Sequence, residues 1–111
     1  MTKLGKEIFD RTKITKKNLE RKKEKWDGKW RTVSFDIPNE FSETRHVLRK
    51  ILLRAGFMQM QKSVYIFPFE IKEILEFLRE NKEFKKYVVY MEISKTTQEK
   101  EWKKFFEIYF K

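Results

Sequence analysis

The sequence predicts an α+β fold whose strands and helices follow the ferredoxin-like order βαββαβ. Three observations predict it: period-two alternation over residues 29–37, two apolar stripes at helical three-and-four spacing around Ile51 and Ile74, and two prolines, Pro38 and Pro68, that each close an extended run. At 111 residues the chain has room for one core, because a single domain takes roughly 100–150 residues.

Residues 29–37 put Val33, Phe35 and Ile37 on one side and Trp30, Thr32, Ser34 and Asp36 on the other, as in a strand with two unlike faces. Pro38 has no N–H for a ladder and biases Ile37 toward extended geometry, so the strand stops there with Asp36 at its C-terminal end. Ser42 is the predicted N-cap of the first helix, Val47, Leu48, Ile51, Leu52 and Ala55 its buried stripe, and Gly56 its C-terminal stop. The opposite side of that helix carries Arg45, Arg49, Lys50 and Arg54. Residues 57–62 and 63–67 read as two strands rich in aromatic and β-branched residues. Residues 70–81 form a second helix, with Ile71, Ile74, Leu75 and Leu78 inward and Phe77 at the rim of the stripe, and residues 87–93 are an apolar strand.

This order places both helices on one face of an antiparallel sheet and leaves the other face bare. A bare face suits a partner chain, an extra element or nucleic acid. Trp102, Phe105, Phe106, Tyr109 and Phe110 mark a C-terminal helix that either packs on its own sheet or swaps onto a neighbour. Residues 1–25 are read as a basic N-terminal arm and residues 26–111 as the ferredoxin-like domain.

The formal net charge is +10, from 27 Lys and Arg against 17 Asp and Glu. Residues 1–29 hold +6 of it and residues 30–111 the remaining +4. Such an excess attracts polyanions through counterion release, which makes DNA or RNA the leading partner class. There is no cysteine, which excludes disulfides, thiolate nucleophiles and Cys-ligated zinc. No run approaches the roughly 20 apolar residues of a membrane span, and the basic N-terminus has no apolar signal region, so a cytoplasmic protein without membrane contact is expected.

The series Trp26-Asp27-Gly28-Lys29-Trp30-Arg31, Val33-Ser34-Phe35-Asp36-Ile37-Pro38, the basic stretch from Arg45 to Arg54, Gly56-Phe57 and Gln61-Lys62-Ser63-Val64-Tyr65 resembles the middle domain of phenylacetate-pathway repressors, the PaaX family. That domain is itself similar to the small CRISPR-associated endonuclease of spacer acquisition. The resemblance covers residues 26–93 and implies a ferredoxin-like fold, a two-fold homodimer and, from the CRISPR family, an Asp after the first strand that binds Mg²⁺ or Mn²⁺ and is catalytic. Asp36 matches that position. Arg45 and Arg49 match basic nucleic-acid contacts on the first helix, and Lys62-Ser63-Val64-Tyr65 matches a basic-Ser-apolar-aromatic strand. Phe35 stands where the CRISPR family usually has Tyr. The repressors carry a winged-helix domain ahead of this module; residues 1–25 are too short for one, which favours the stand-alone endonuclease-like reading, while Trp26 to Arg31 is the repressor's signature.

Asp occurs at positions 10, 27 and 36, and only Asp36 falls at the end of a sheet strand. Mg²⁺ usually takes one or two carboxylates plus water, so a two-fold axis bringing two copies of Asp36 together would complete a site. The alternative is that Asp36 caps the loop before Pro38. No acid occurs between Glu43 and Glu70, so Arg45, Arg49, Lys50, Arg54 and Lys62 read, with Arg31, as nucleic-acid contacts that hold the phosphate backbone without choosing a sequence. His46 has no second ligand at metal spacing and reads as a solvated helix residue. Ser63 has no base partner for nucleophilic catalysis, and three glycines build no phosphate-cradling loop.

Two functions stay open from these residues. One is a metal-dependent endonuclease, or a DNA scaffold derived from it, that partners a CRISPR integrase. The other is a non-enzymatic dimerisation module of the PaaX repressor type. An RNA-binding sheet of the RRM kind shares the element order but lacks the aromatic motif on the third strand.

Overall fold

The computed structural model describes residues 24–110. Four strands, β1 (Trp30–Phe35), β2 (Met58–Gln61), β3 (Val64–Phe67) and β4 (Val88–Ile93), form one antiparallel sheet in the order β2-β3-β1-β4. Helix α1 (Ser42–Arg54) joins β1 to β2, and α2 (Lys72–Glu80) followed by α3 (Lys82–Tyr87) joins β3 to β4. This is the predicted ferredoxin-like arrangement, with a further helix α4 (Glu99–Phe105) and a 3-10 turn (Glu107–Tyr109) after β4.

Register fixes which side chains share a face. Val33 lies opposite Tyr65 and Tyr90, so Val33, Phe35, Tyr65 and Phe67 point together. They form the core with Leu48, Ile51, Leu52 and Ala55 of the first helical segment and Ile74, Phe77 and Leu78 of the second. Tyr65 stacks on Phe35 with ring centroids 5.6 Å apart. The predicted stripes thus face inward, with three departures: Phe77 is buried, whereas Val47 and Leu75 are only partly covered.

α1 ends as its sequence predicts. Gly56 takes φ +105°, and the bonds from Gly56 N to Leu53 O and from Phe57 N to Leu52 O close a Schellman turn. A Cβ on Gly56 would sit 3.1 Å from Phe67 Cε1, so close packing on β3 also calls for glycine. The start differs from expectation. Ser42 is the first helical residue, not the cap, because a 3-10 turn at Asn39–Phe41 feeds directly into the helix, its Phe41 N–H bonding to Pro38 O at 2.9 Å.

The second helix ends near the expected residue 81, but α3 follows where residues 82–86 carried no assignment, and it takes Tyr87 from the strand expected over 87–93. Asn81 adopts extended dihedrals, its Nδ2 donates to Phe77 O at 2.8 Å to finish α2, and its own carbonyl accepts from Phe84 N at 3.0 Å to start α3. Phe84, 5.0 Å from Phe77 between ring centroids, holds α3 on the core.

The second face of the sheet holds Trp30, Thr32 and Ser34 with Val64, Ile66, Val89, Met91 and Ile93. Its Trp30 end is covered by the chain's own C-terminal segment: Trp30 packs on Trp102, Phe106 and Phe110 at 5.4, 6.0 and 5.8 Å, and Trp26 closes the cluster at 4.9 Å. The expected single stripe does not survive as one helix. α4 stops at Phe105, so Phe105 is exposed while Trp102 and Phe106 are buried. Farther along this face Val89 and Met91 remain 56% and 40% exposed. The proposed arm, residues 1–25, lies almost wholly outside the described residues.

Candidate nucleic-acid interface

A cavity of about 440 Å³ opens where β1 ends. Three parts of the chain build it, and each is placed by an interaction already implied by the fold. The strand end supplies Phe35, Asp36 and Ile37; the first two turns of α1 supply Arg45, His46 and Arg49; the β2–β3 turn supplies Lys62 and Ser63. The strand end is pinned from both sides, Phe35 N donating to Ser63 O at 3.0 Å and Asp36 N to Tyr87 O at 2.9 Å. The turn is held by Gln59 Nε2 donating to Lys62 O at 3.2 Å.

Four of the residues singled out from the sequence therefore come together here: Asp36, Arg45, Arg49 and Lys62. Arg45 is steered by the carbonyl of Ile37 and the amide oxygen of Asn39, at 3.2 and 3.4 Å from Nη1. Among the described residues, no carboxylate forms an ion pair with Arg49, Lys50 or Lys62, and no cation forms one with Asp36. No hydrogen bond to the Asp36 side chain accompanies the turn at Pro38, so the loop-capping alternative has no bond to represent it among the described residues. Asp36 is exposed. Tyr65, behind the cavity, is fully buried with an unpartnered hydroxyl; burial raises its pKa, against an opposing pull from the Arg49 charge.

Lys50 and Arg54 are exposed on α1 but outside this cavity. Arg31, expected as a nucleic-acid contact, lies outside this cavity, in surroundings that tie it to the chain itself. It is 7% exposed and its guanidinium is consumed: Nη1 and Nη2 reach both oxygens of Asp27 at 2.9 and 2.7 Å, Nη1 also reaches the carbonyls of Lys29 and Pro68, and Nε lies 3.4 Å from Glu92. The Arg31 hydrogen bonds hold the Asp27 carboxyl down at about 2, and Arg31 is itself pushed up, first by Asp27. A signal for this was available. Arg31 precedes Val33 by two, which puts it on the inward face, and Asp27 stands four residues before it.

Asn39, His46 and Ser63 line the cavity and were not selected from sequence as contacts. Asn39 arrives through the unforeseen 3-10 turn, and His46, though exposed on α1 as expected, is one position from Arg45 and so shares the same wall.

The donor set does not fit a divalent cation within one chain. Mg²⁺ and Mn²⁺ require hard oxygen ligands, commonly one or two carboxylates, and this cavity offers one carboxylate beside three cationic side chains, with the Asn39 oxygen already turned toward Arg45. Among the described residues no cluster of three or more His, Cys, Asp or Glu side chains could hold a metal.

The arrangement of βαββαβ fold, Trp26 to Arg31 latch and strand-end Asp beside helix arginines meets a family match over most of the chain: the model of the PaaX protein central Cas2-like domain matches residues 23–104. The chain belongs to the PaaX central-domain family. Neither a curated protein nor a solved structure gives a significant match. Within this family the chain is a Cas2-like module, and no helix among its described residues is long and apolar enough to cross a membrane.

Proposed function

We propose that this PaaX-type module is a non-hydrolytic homodimer that holds the sugar-phosphate backbone of a nucleic acid. The observation that carries the reading is the strand-end cavity, where Arg45, Arg49 and Lys62 outnumber the one carboxylate and where Arg49 and Lys62 lack acidic partners among the described residues. Cations without partners on a surface attract phosphates and contribute salt-sensitive affinity without sequence choice. Pairing is supported by the sheet face: Val89 and Met91 are exposed beside half-covered Val64 and Ser34, and a second copy laid on the same patch would bury them by a self-complementary contact.

Binding of a short duplex, followed by fluorescence anisotropy against salt, tests the reading together with the molar mass in solution. Arg49→Gln and Lys62→Gln are each expected to lower the slope of log K against log salt by about one while leaving the protein folded. A module that is monomeric at all concentrations, or whose affinity ignores both substitutions, overturns it.

A second reading is favoured by one feature, the carboxylate of Asp36 at the end of β1, which is exposed and has no ion-pair partner among the described residues. In that reading two copies supply two Asp36 carboxylates, Mg²⁺ or Mn²⁺ is bound between them, and the module is an endonuclease or an integrase partner of the CRISPR kind. Cleavage of RNA or duplex DNA that needs Mg²⁺ and disappears in Asp36→Ala would establish this reading in place of the first.

A further inference from the structure

The cavity at the end of β1 has a charge and a shape that a running backbone does not fully use. An internal phosphodiester carries one negative charge, whereas a phosphomonoester is close to a dianion at neutral pH. Arg45, Arg49 and Lys62 against Asp36 give the cavity a formal +2 from its Arg, Lys and Asp side chains. Its cations come from two separate elements, α1 and the β2–β3 turn, and converge on one open-mouthed cleft of about 440 Å³. That is within the range of pockets that enclose a small ligand, and it exceeds what a single phosphate along a duplex groove requires. Arg45 is already oriented by Ile37 O and Asn39 Oδ1, so little side-chain freedom remains to be lost on binding. Among the described residues Arg49 and Lys62 have no acid to give up, and the Ser63 hydroxyl on the same turn can donate to a phosphate oxygen.

We infer that this cavity receives the terminal phosphomonoester of a nucleic-acid strand, so that the module recognises phosphorylated ends in addition to tracking backbone. The inference rests on the nucleic-acid reading above and deepens it by naming the group that enters the cavity. The guanidiniums of Arg45 and Arg49 would make charge-assisted hydrogen bonds to the terminal oxygens, and Lys62 would complete the clamp as a point charge. No metal ion takes part in this recognition, in keeping with a cavity in which cationic side chains already occupy the place of a counter-ion.

The test compares one short duplex in three forms, with 5′-phosphates, with 3′-phosphates and with hydroxyl ends only, together with a closed circular DNA, all in EDTA. One phosphorylated form is expected to bind about tenfold more tightly than the hydroxyl-ended form. That preference should vanish in Arg49→Gln and in Lys62→Gln, whose thermal midpoints should match that of the parent protein. Equal affinity for phosphorylated and hydroxyl ends overturns the inference; if the hydroxyl-ended and circular DNA still bind with ordinary salt dependence, the backbone-binding reading stands without it. Inorganic phosphate that competes as well as the phosphorylated duplex also overturns it, since the strand would then add nothing. If no form of DNA binds, both readings fall together.

Discussion

The two ends of β1 treat positive charge in opposite ways. Trp30 and Asp36 are separated by one strand, a distance of about 20 Å. At the Trp30 end, Arg31 is enclosed by Asp27, Glu92 and two backbone carbonyls, on the face of the sheet opposite the cluster of Trp26, Trp30, Trp102, Phe106 and Phe110. At the Asp36 end, Arg49 and Lys62 face a cavity with a single carboxylate that pairs with neither. The same residue type is thus a structural tie in one place and an available contact in the other. What separates the two is whether acceptors of the chain itself surround the guanidinium when the core closes. A buried cation must be fully paired or the fold loses stability, and a paired one has nothing left for a ligand.

Substitutions at the two ends should therefore separate stability from binding. The largest effect is expected at Trp30, fully buried in the aromatic cluster: Trp30→Ala should cost about 3–5 kcal/mol in denaturant unfolding. Next, Arg31→Met should cost about 2–3 kcal/mol, because it strands two carboxylates and two carbonyls that are only partly open to water, and the folded fraction should keep the parent's salt slope for DNA. Arg49→Gln is the mirror case, with a change in stability below about 0.5 kcal/mol and a loss of affinity. An Arg31 variant that keeps its stability but loses DNA would break the comparison.

The effect expected at Asp27 is confined to acid pH. Its carboxyl is held at about 2 in the fold against an ordinary 3.8. A depressed carboxyl pKa gives stability that is present above the unfolded value and is lost as pH falls from about 4 toward 2. Asp27 is half exposed, so solvent screening reduces the contribution to about 1 kcal/mol. Asp27→Asn should flatten the acid limb of stability against pH over that interval and leave the neutral-pH affinity for DNA in place.

How much of this was legible follows from range of interaction. The strand at Val33 and Phe35, the stripes of α1 and α2 and the glycine stop at Gly56 are local patterns, and each is found where periodicity puts it. α3 was not legible, because residues 82–87 hold little apolar signal besides Phe84, and Phe84 matters only once Phe77 is beside it. The cavity was half legible. Asp36 and Arg45 announced themselves by position after Val33-Ser34-Phe35 and on a basic helix side, but Lys62 and Ser63 join them only through the β3 pairing that brings Ser63 O to Phe35 N. For Arg31 the pairing with Asp27 was legible at four residues' spacing, whereas the contacts with Pro68 and Glu92 come from far along the chain.

The contact between Trp26 and Phe110, with centroids 5.1 Å apart, has an architectural consequence. Chain attached on either side of the module would share one exit, at the end of the sheet remote from Asp36. A longer polypeptide could thus carry residues 26–110 as an insert that begins and ends at one place, with the strand end at Asp36 on the far side.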